Sequence, residues 1–297
     1  PQETNTFFFH LSNITIHTLN GFLIFFLLLR IFKNHFAVLS ATIFFLIHPL
    51  QTETVVWISE SRGLLATFFG LSAIIFYLQS VSATYDTQYR RFLSFEYIAG
   101  FLCFIFALLS KPSSAVVPLF AMMIALYLYK TKLKELLIHI LPWLLPIFLI
   151  AFITSSLQGN TQLYSFWMKP FIYLSSLSFY LYKLIVPFSL SPTYGLTPLQ
   201  MISESWFHLS WIFSLLISGI IWKYKNQFPI LLLSWGIFAV GILPVSGLIN
   251  FTFQDWSNVA DRYVYFSMFG VSIFIGSILE EFGSKIKWIF ILVILFS

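Results

Sequence analysis

Charged residues are scarce in this chain. Asp, Glu, Lys and Arg together make up 9% of its 297 residues, whereas ~25% is usual in a soluble domain. Hydrophobic residues make up 59%, and they form long uninterrupted runs instead of the ~10-residue alternating segments of a membrane β-barrel. Because a membrane-spanning helix needs ~20 apolar residues, the composition excludes a soluble domain. It predicts an all-α, polytopic integral membrane protein.

Cysteine and the familiar catalytic motifs are also nearly or wholly missing. Cys103 is the single cysteine, so the chain cannot form an internal disulfide. No Walker loop, HExxH, GxSxG or CxxC motif occurs, which leaves nucleotide hydrolysis, zinc proteolysis and serine hydrolysis without support. We predict no metal site and no certain cofactor, and a dependence on a divalent metal stays open.

The chain begins at Pro1 without a methionine and ends at Ser297, inside an apolar run that opens at Trp288. We therefore expect a fragment of a longer protein, with a single membrane domain over residues 1–297 and about ten transmembrane helices. The apolar segments lie at 10–32, 36–49, 64–80, 97–110, 115–129, 136–154, 169–188, 207–222, 228–247, 263–279 and 288–297.

Positive charge divides the connecting loops into two sets. Lysine and arginine are retained on the cytoplasmic side of a membrane, so loops rich in them are predicted to lie inside. These loops contain Arg30 with Lys33, Arg90 with Arg91, Lys130 with Lys132 and Lys134, Lys223 with Lys225, and Lys285 with Lys287. The loops with few of them, predicted to lie outside, are 49–63, 111–114, 155–206 and 248–262.

Strict alternation of these loops works only if segment 169–188 does not cross the membrane. Otherwise Lys223 and Lys225 would lie outside. We therefore predict that 169–188 lies at the outer interface or re-enters, within an outer-face region over 155–206. The formal net charge of +5 follows the same loop pattern, so nucleic acid is not expected as a partner.

A stripe of polar residues marks the first apolar segment. His10, Asn13, His17 and Asn20 follow one another at helical spacing and share one helix face. Polar side chains inside a membrane face the bundle or a wet cavity, because lipid cannot satisfy them. The stripe is therefore predicted either to hydrogen-bond neighbouring helices or to line a cavity.

The outer loop 49–63 carries a second polar group. It follows His48 and contains Glu53, Glu60 and Arg62. Two carboxylates beside an arginine could hold a metal, position an acceptor hydroxyl or accept its proton. A capped, salt-bridged corner between two helices explains the same residues without any ligand.

Two further outer loops carry cations. Lys111 lies on the side that should have few lysines, and a lipid phosphate would explain its presence. Arg262 lies between Asp261 and Tyr263, and its planar guanidinium suits a phosphate or a pyrophosphate. The alternatives are a lysine that extends to the membrane surface, and a local ion pair beside an aromatic anchor.

Four stretches of the chain resemble one family of membrane enzymes. They are HLSNITIHTLNGFLIFFLLLRIF, FFLIHPLQTETVVWISESRGLLA, ALLSKPSSAVVPL and LPVSGLINFTFQDWSNVADRYVY. Together they are similar to polyprenyl-phosphate-sugar-dependent glycosyltransferases of the GT-C type. The resemblance is greatest to the transmembrane and tetratricopeptide-repeat-containing O-mannosyltransferases and their bacterial relatives. It covers nearly the whole chain, and its most specific parts are the His-Pro-x-x-Thr-Glu corner and the Ala-Asp-Arg-Tyr motif.

The resemblance implies a GT-C helical bundle that transfers a sugar, expected to be mannose, from a polyprenyl-phosphate donor to a protein Ser/Thr or a glycan. It implies an active face outside the bilayer, periplasmic in a bacterial inner membrane or lumenal in the endoplasmic reticulum. Such enzymes bind the donor phosphate through basic residues and use an acidic residue near the acceptor. The candidates are Glu53 for catalysis, Lys111 and Arg262 for the donor phosphate, His48, Glu60, Arg62, Asp261 and Tyr263 for substrate binding, and His10, Asn13, His17 and Asn20 for the cavity wall.

The chain departs from that family in two places. Relatives carry an earlier helix and an outer loop with the principal catalytic Asp, which this chain lacks, so the fragment alone is expected to be inactive. They also tend to have an Arg followed two residues later by Asp after the His-Pro corner, where this chain has Ser61-Arg62-Gly63. A transporter or flippase of a lipid-linked sugar is the alternative, although the paired halves of many transporters are not visible here.

Overall fold

The structure, a computed structural model, describes residues 6–84, 92, 94–157, 165–248 and 251–296. This part of the chain consists of α-helices, short 3-10 turns and loops, which confirms the all-α class. Arg90 and Arg91 of one predicted inner loop lie outside the described residues. The helices are α1 (Thr6–Ile31), α2 (His35–Ile47), α3 (Thr52–Val56), α4 (Ser61–Thr84), α5 (Phe95–Ser110), α6 (Val117–Tyr129), α7 (Leu133–Ile140), α8 (Leu144–Leu157), α9 (Lys169–Ile185), α10 (Pro198–Ser203), α11 (Phe207–Lys223), α12 (Pro229–Ile242) and α13 (Met268–Phe296).

Several of the helices have the length and composition of membrane spans. Among the residues that the structure describes, four helices are long and apolar enough: Thr6–Ile31, Ile58–Ser82, Pro112–Tyr129 and Leu133–Thr154. A fifth arises if α2 and the helical turns after it count as one span, bent by 51° at a short break. These helices indicate a membrane protein, and the number of about ten spans stays a prediction.

Proline decides where two of the helices end. The residue before a proline is disfavoured in the helical region, because the ring clashes with its backbone. His48, before Pro49, has φ −63° and ψ 133°, and Lys111, before Pro112, has φ −154° and ψ 120°. Both backbones are extended, so α2 ends just before His48 and α5 just before Lys111.

Most of the described helices pack around one large hydrophobic core, and a smaller cluster of Ile172, Met201 and Phe207 joins α9, α10 and α11. α4 contacts α1, α5 and α6, while α13 contacts α2 and α12. Large aromatic side chains such as Phe45, Phe120 and Phe269 are fully buried between them. α9 packs along α11, and its placement at the membrane interface, expected for 169–188, stays a prediction.

One predicted loop is wrong. The sequence pattern separates segment 263–279 from 288–297 by a loop at Lys285 and Lys287, but α13 runs without a break from Met268 to Phe296. That stretch contains no proline and includes good helix formers such as Glu, Lys and Leu. A few charged residues therefore do not end the helix there.

Candidate functional site

Five charged side chains meet at one end of the bundle, and we call them the charged cluster. They come from the corner between α2 and α4, from the end of α5 and from the turn before α13. The structure thus brings together three of the loops that the sequence places on one side of the membrane. The members are Glu53, Glu60, Arg62, Lys111 and Arg262.

Glu60 lies at the centre of the charged cluster. Its side chain is 1% exposed, and its Oε2 accepts a hydrogen bond from Lys111 Nζ at 2.8 Å. Its Oε1 lies 3.6 Å from Arg62 Nη2 and 3.8 Å from Arg262 Nε. A buried carboxylate needs such partners, because an unpaired buried charge is costly. Glu60 therefore sets the relative positions of three cations.

Lys111 reaches Glu60 across a glycine on the first turn of α4. A Cβ on Gly63 would lie 2.6 Å from Glu60 Oε2 and 3.4 Å from Lys111 Nζ, so a larger residue would crowd the ion pair. Burial lowers the pKa of the Lys111 ammonium group, and the nearby Glu60 carboxylate opposes that shift. The Lys111 side chain remains 18% exposed, which leaves it accessible to a ligand.

Arg262 is held by contacts on several sides. Its backbone N–H donates to Glu53 Oε2 at 2.7 Å, and its Nη1 donates to Glu53 Oε1 at 2.6 Å. Nη1 also donates to the Pro192 carbonyl at 2.6 Å, and Nη2 to the Tyr263 hydroxyl at 3.3 Å. The Trp57 ring lies 5.1 Å from the guanidinium carbon, within the range of a cation–π contact. These contacts fix the plane of the guanidinium.

A pocket opens beside Lys111 and Arg262. Its empty volume, part of which is open to solvent, is about 420 Å³. Cations and hydroxyl groups together match the oxygens of a phosphate, since both donate hydrogen bonds to it. The polar lining consists of Lys111, Arg262, Thr67, Ser113, Ser114, Tyr263 and Tyr265.

The other members of the charged cluster are not part of the pocket lining. Glu53 and Glu60 contact its two cations, and Arg62, with a side chain 53% exposed, contacts Glu60. Glu53, the predicted catalytic residue, uses both carboxylate oxygens to hold Arg262. Within the described residues no group of three or more His, Cys, Asp or Glu could hold a metal ion.

His48 caps a turn, although the sequence predicts a substrate-binding role for it. Its Nδ1 accepts a hydrogen bond from the Leu50 amide at 3.2 Å, and its Nε2 donates one to the Leu184 carbonyl at 3.3 Å. The residue is 5% exposed and is not among the residues that line the pocket. Both ring nitrogens therefore form hydrogen bonds with the backbone, and these bonds join the corner after α2 to α9.

Three residues of the polar stripe on α1 bond to neighbouring elements instead of lining the pocket. Asn13 Nδ2 donates to two backbone carbonyls of the corner after α2, at 3.1 and 3.2 Å. His17 Nδ1 lies 2.8 Å from the Tyr265 hydroxyl, to which Asn20 Nδ2 donates at 3.1 Å. His10 lies half-buried in the first turns of the helix. These hydrogen bonds favour the interhelical alternative for Asn13, His17 and Asn20. Asn20 Oδ1 is buried without a hydrogen-bond partner among the described residues, and a cavity wall on this face stays a prediction.

Asp261 is also absent from the pocket lining. It faces residues 186–197, the segment between α9 and α10 that we call the strap. Its Oδ2 accepts from the Ser191 amide at 2.9 Å, and its Oδ1 from the Tyr194 hydroxyl at 2.7 Å. Burial raises the pKa of Asp261 to about 6, although the hydrogen bond from Tyr194 opposes the shift. No sequence pattern indicated this contact.

The fold and the pocket together define a helical membrane protein with a buried cationic site at one end of its bundle. The chain is similar to the protein O-mannosyl-transferase F38B6.6 of Caenorhabditis elegans, with 23% identity over 306 residues. The match covers 96% of this chain and 41% of that relative, so the chain spans about two-fifths of the relative's length. No family model matches the chain, and no solved structure matches it significantly.

Proposed function

We propose that this chain forms part of a membrane glycosyltransferase that uses a polyprenyl-phosphate sugar as donor. The proposed sugar is mannose, and the proposed acceptor is a protein Ser/Thr hydroxyl or a glycan. Transfer would take place on the outer face, periplasmic in a bacterium or lumenal in the endoplasmic reticulum. The observation that carries the proposal is the pocket in which Lys111 and Arg262 lie together among hydroxyl groups. The similarity to a protein O-mannosyl-transferase supports the choice of reaction.

The charges around the pocket suit a donor with a phosphate group. The charged cluster contains three cations and two carboxylates, an excess of one positive charge. Glu60 stabilises the charged form of Lys111, which burial alone would disfavour. A phosphate in the pocket would therefore meet a net positive charge, and the surrounding hydroxyl groups could donate to its remaining oxygens.

For Glu53 we propose first a role in orienting Arg262. Its side chain is 7% exposed and accepts two hydrogen bonds from that residue. Its predicted acid–base or acceptor-positioning role stays a prediction, and kinetics can separate the two roles. If Glu53 orients Arg262, Glu53→Gln should raise KM for the donor. If Glu53 acts as acid or base, the same change should lower kcat at saturating donor.

The test is transfer of labelled mannose from polyprenyl-phosphate mannose to a Ser/Thr-rich acceptor protein, in membranes that contain the full-length protein to which this chain belongs. Lys111→Met removes one cation of the pocket and should reduce kcat/KM by about tenfold or more, since a hydrogen bond to a charged group contributes ~1.5–3 kcal/mol. Lys132→Met is the matched control, because Lys132 is exposed and does not line the pocket.

Two outcomes would count against the proposal. Wild-type transfer by Lys111→Met would remove Lys111 from donor binding. Movement of the labelled lipid across the membrane without transfer to any acceptor would instead support the transporter alternative.

A further inference from the structure

Two buried charged side chains hold the strap. The first is Lys183, which is 6% exposed and whose Nζ donates to the carbonyls of Phe188 and Ser189 at 2.7 and 3.1 Å. Ser189 has φ 52°, a left-handed conformation that is unfavourable for a residue other than glycine. The Lys183 ammonium also lies 5.0 Å from the centre of the Tyr194 ring. The beginning of the strap is thus folded back onto α9.

The second is Asp261, which is 2% exposed. Both of its oxygens accept hydrogen bonds from the strap, from Ser191 and Tyr194. Pro192, the residue next to Ser191, offers its carbonyl to Nη1 of Arg262 at 2.6 Å. Because Ser191 and Pro192 are adjacent, the position of one sets the position of the other. The strap therefore links Asp261 to the guanidinium of Arg262.

We propose that Asp261 is a positioning residue for the pocket. It holds the strap through Ser191 and Tyr194, and the strap in turn presses the Pro192 carbonyl against Arg262. This contact fixes the orientation of the guanidinium group where it lines the pocket. The inference rests on the proposed function of that pocket as the site of the donor phosphate.

The surroundings of Asp261 make its contact with the strap sensitive to pH. The titratable groups that face it are Lys183 and Tyr180 from α9, Tyr194 from the strap, and Glu53 from α3, beside Arg262 of its own turn. Burial raises the pKa of Asp261 to about 6. Burial under the strap favours the protonated form of Asp261, so the contact with the strap should be most stable below about pH 6 and should weaken as the pH rises through about 6.

The first experiment measures the strap without any ligand. Leu190 lies half-buried in the strap, so Leu190→Cys in a Cys103→Ala background reports its opening through the rate of labelling by a charged maleimide. Asp261→Asn should increase that rate by about fivefold or more, and Tyr194→Phe, a milder change, should increase it less. Asp255→Asn is the control, since Asp255 is exposed in the same loop. Unchanged labelling in Asp261→Asn would overturn the inference.

The second experiment measures the pocket. The probe is farnesyl methyl phosphate. As a phosphodiester it carries a single negative charge throughout the range from pH 5 to pH 8, so its own charge does not change in the experiment. Asp261→Asn should weaken its binding by about tenfold, and the pH dependence of wild-type binding near pH 6 should disappear. In an Arg262→Gln background the same change should cause no further loss, because Asp261 acts through Arg262.

An equal loss in both backgrounds would overturn the positioning role, because Asp261 would then act independently of Arg262. If the wild-type protein does not bind the probe at all, the proposed donor site is refuted. The labelling experiment would even then decide whether Asp261 holds the strap.

Discussion

Removal of the charge on Glu60 is the most direct test of how the charged cluster is held together. Glu60→Gln keeps the shape of the side chain but takes away the carboxylate that faces Lys111 at 2.8 Å. Removing one partner of a buried ion pair costs ~3–5 kcal/mol. Lys111 is 18% exposed, and the glutamine oxygen can still accept its hydrogen bond, so both features reduce the cost. We therefore expect the free energy of unfolding to fall by about 2 kcal/mol.

Equilibrium unfolding in detergent micelles at neutral pH measures that loss. Glu204→Gln is the matched control, since Glu204 is exposed after α10. The double variant Glu60→Gln with Lys111→Met removes both charges and should recover at least half of the loss, because replacing a whole buried pair is often nearly neutral. Wild-type stability of Glu60→Gln, or a double variant that is no more stable than the single one, would show that the ion pair does not hold the charged cluster together.

Three further predictions use the same unfolding assay. Gly63→Ala brings a methyl group to within 2.6 Å of Glu60 Oε2 and should destabilise the protein by about 1–2 kcal/mol. Gly219→Ala, with open space around its Cβ, should be neutral or stabilising. The pKa of Asp261 is raised from 3.8 to about 6, so the folded protein favours the protonated carboxyl group. The stability that this protonation contributes is fully present below about pH 3.8 and is lost as the pH rises through about 6. This change amounts to about 3 kcal/mol, and a constant stability difference between Asp261→Asn and the wild type from pH 4 to pH 8 would contradict it. His17→Ala should cost about 1–3 kcal/mol, and adding Tyr265→Phe should cost less than the sum of the two single changes.

The common location of the charged residues could be predicted from the sequence. Counting lysines and arginines assigns the loops that contain Glu60, Lys111 and Arg262 to one side of the membrane. The structure places Glu60 2.8 Å from Lys111 and 3.8 Å from Arg262. The pairing itself could not be predicted. It depends on the extended backbone of Lys111 before Pro112, and on the space that Gly63 leaves. Both are local geometric details that a charge count does not contain.

The strap and the hydroxyl groups of the pocket were missed for a different reason. Pro192 contributes a backbone carbonyl, which leaves no trace in the residue type, and Tyr194 meets Asp261 across 67 residues of sequence. Thr67 is an ordinary helix residue until the neighbouring elements are in place. Ser113 and Ser114 do follow Lys111 in the predicted break, so this signal was present in the sequence. Only the structure shows that both serines line the same pocket as Lys111.

The energetics of the charged cluster favour a functional reason for it over a purely structural one. Glu53, Glu60 and Arg262 have side chains only 7%, 1% and 4% exposed, in a chain of which 9% is charged. Apolar residues of similar size often stabilise a fold as well as a buried ion pair does, so stability alone does not require this arrangement. The two carboxylates do something that apolar residues could not do, since they hold Arg262 and Lys111 charged and oriented beside a pocket. An anionic ligand that binds there would add to these counterions without replacing them.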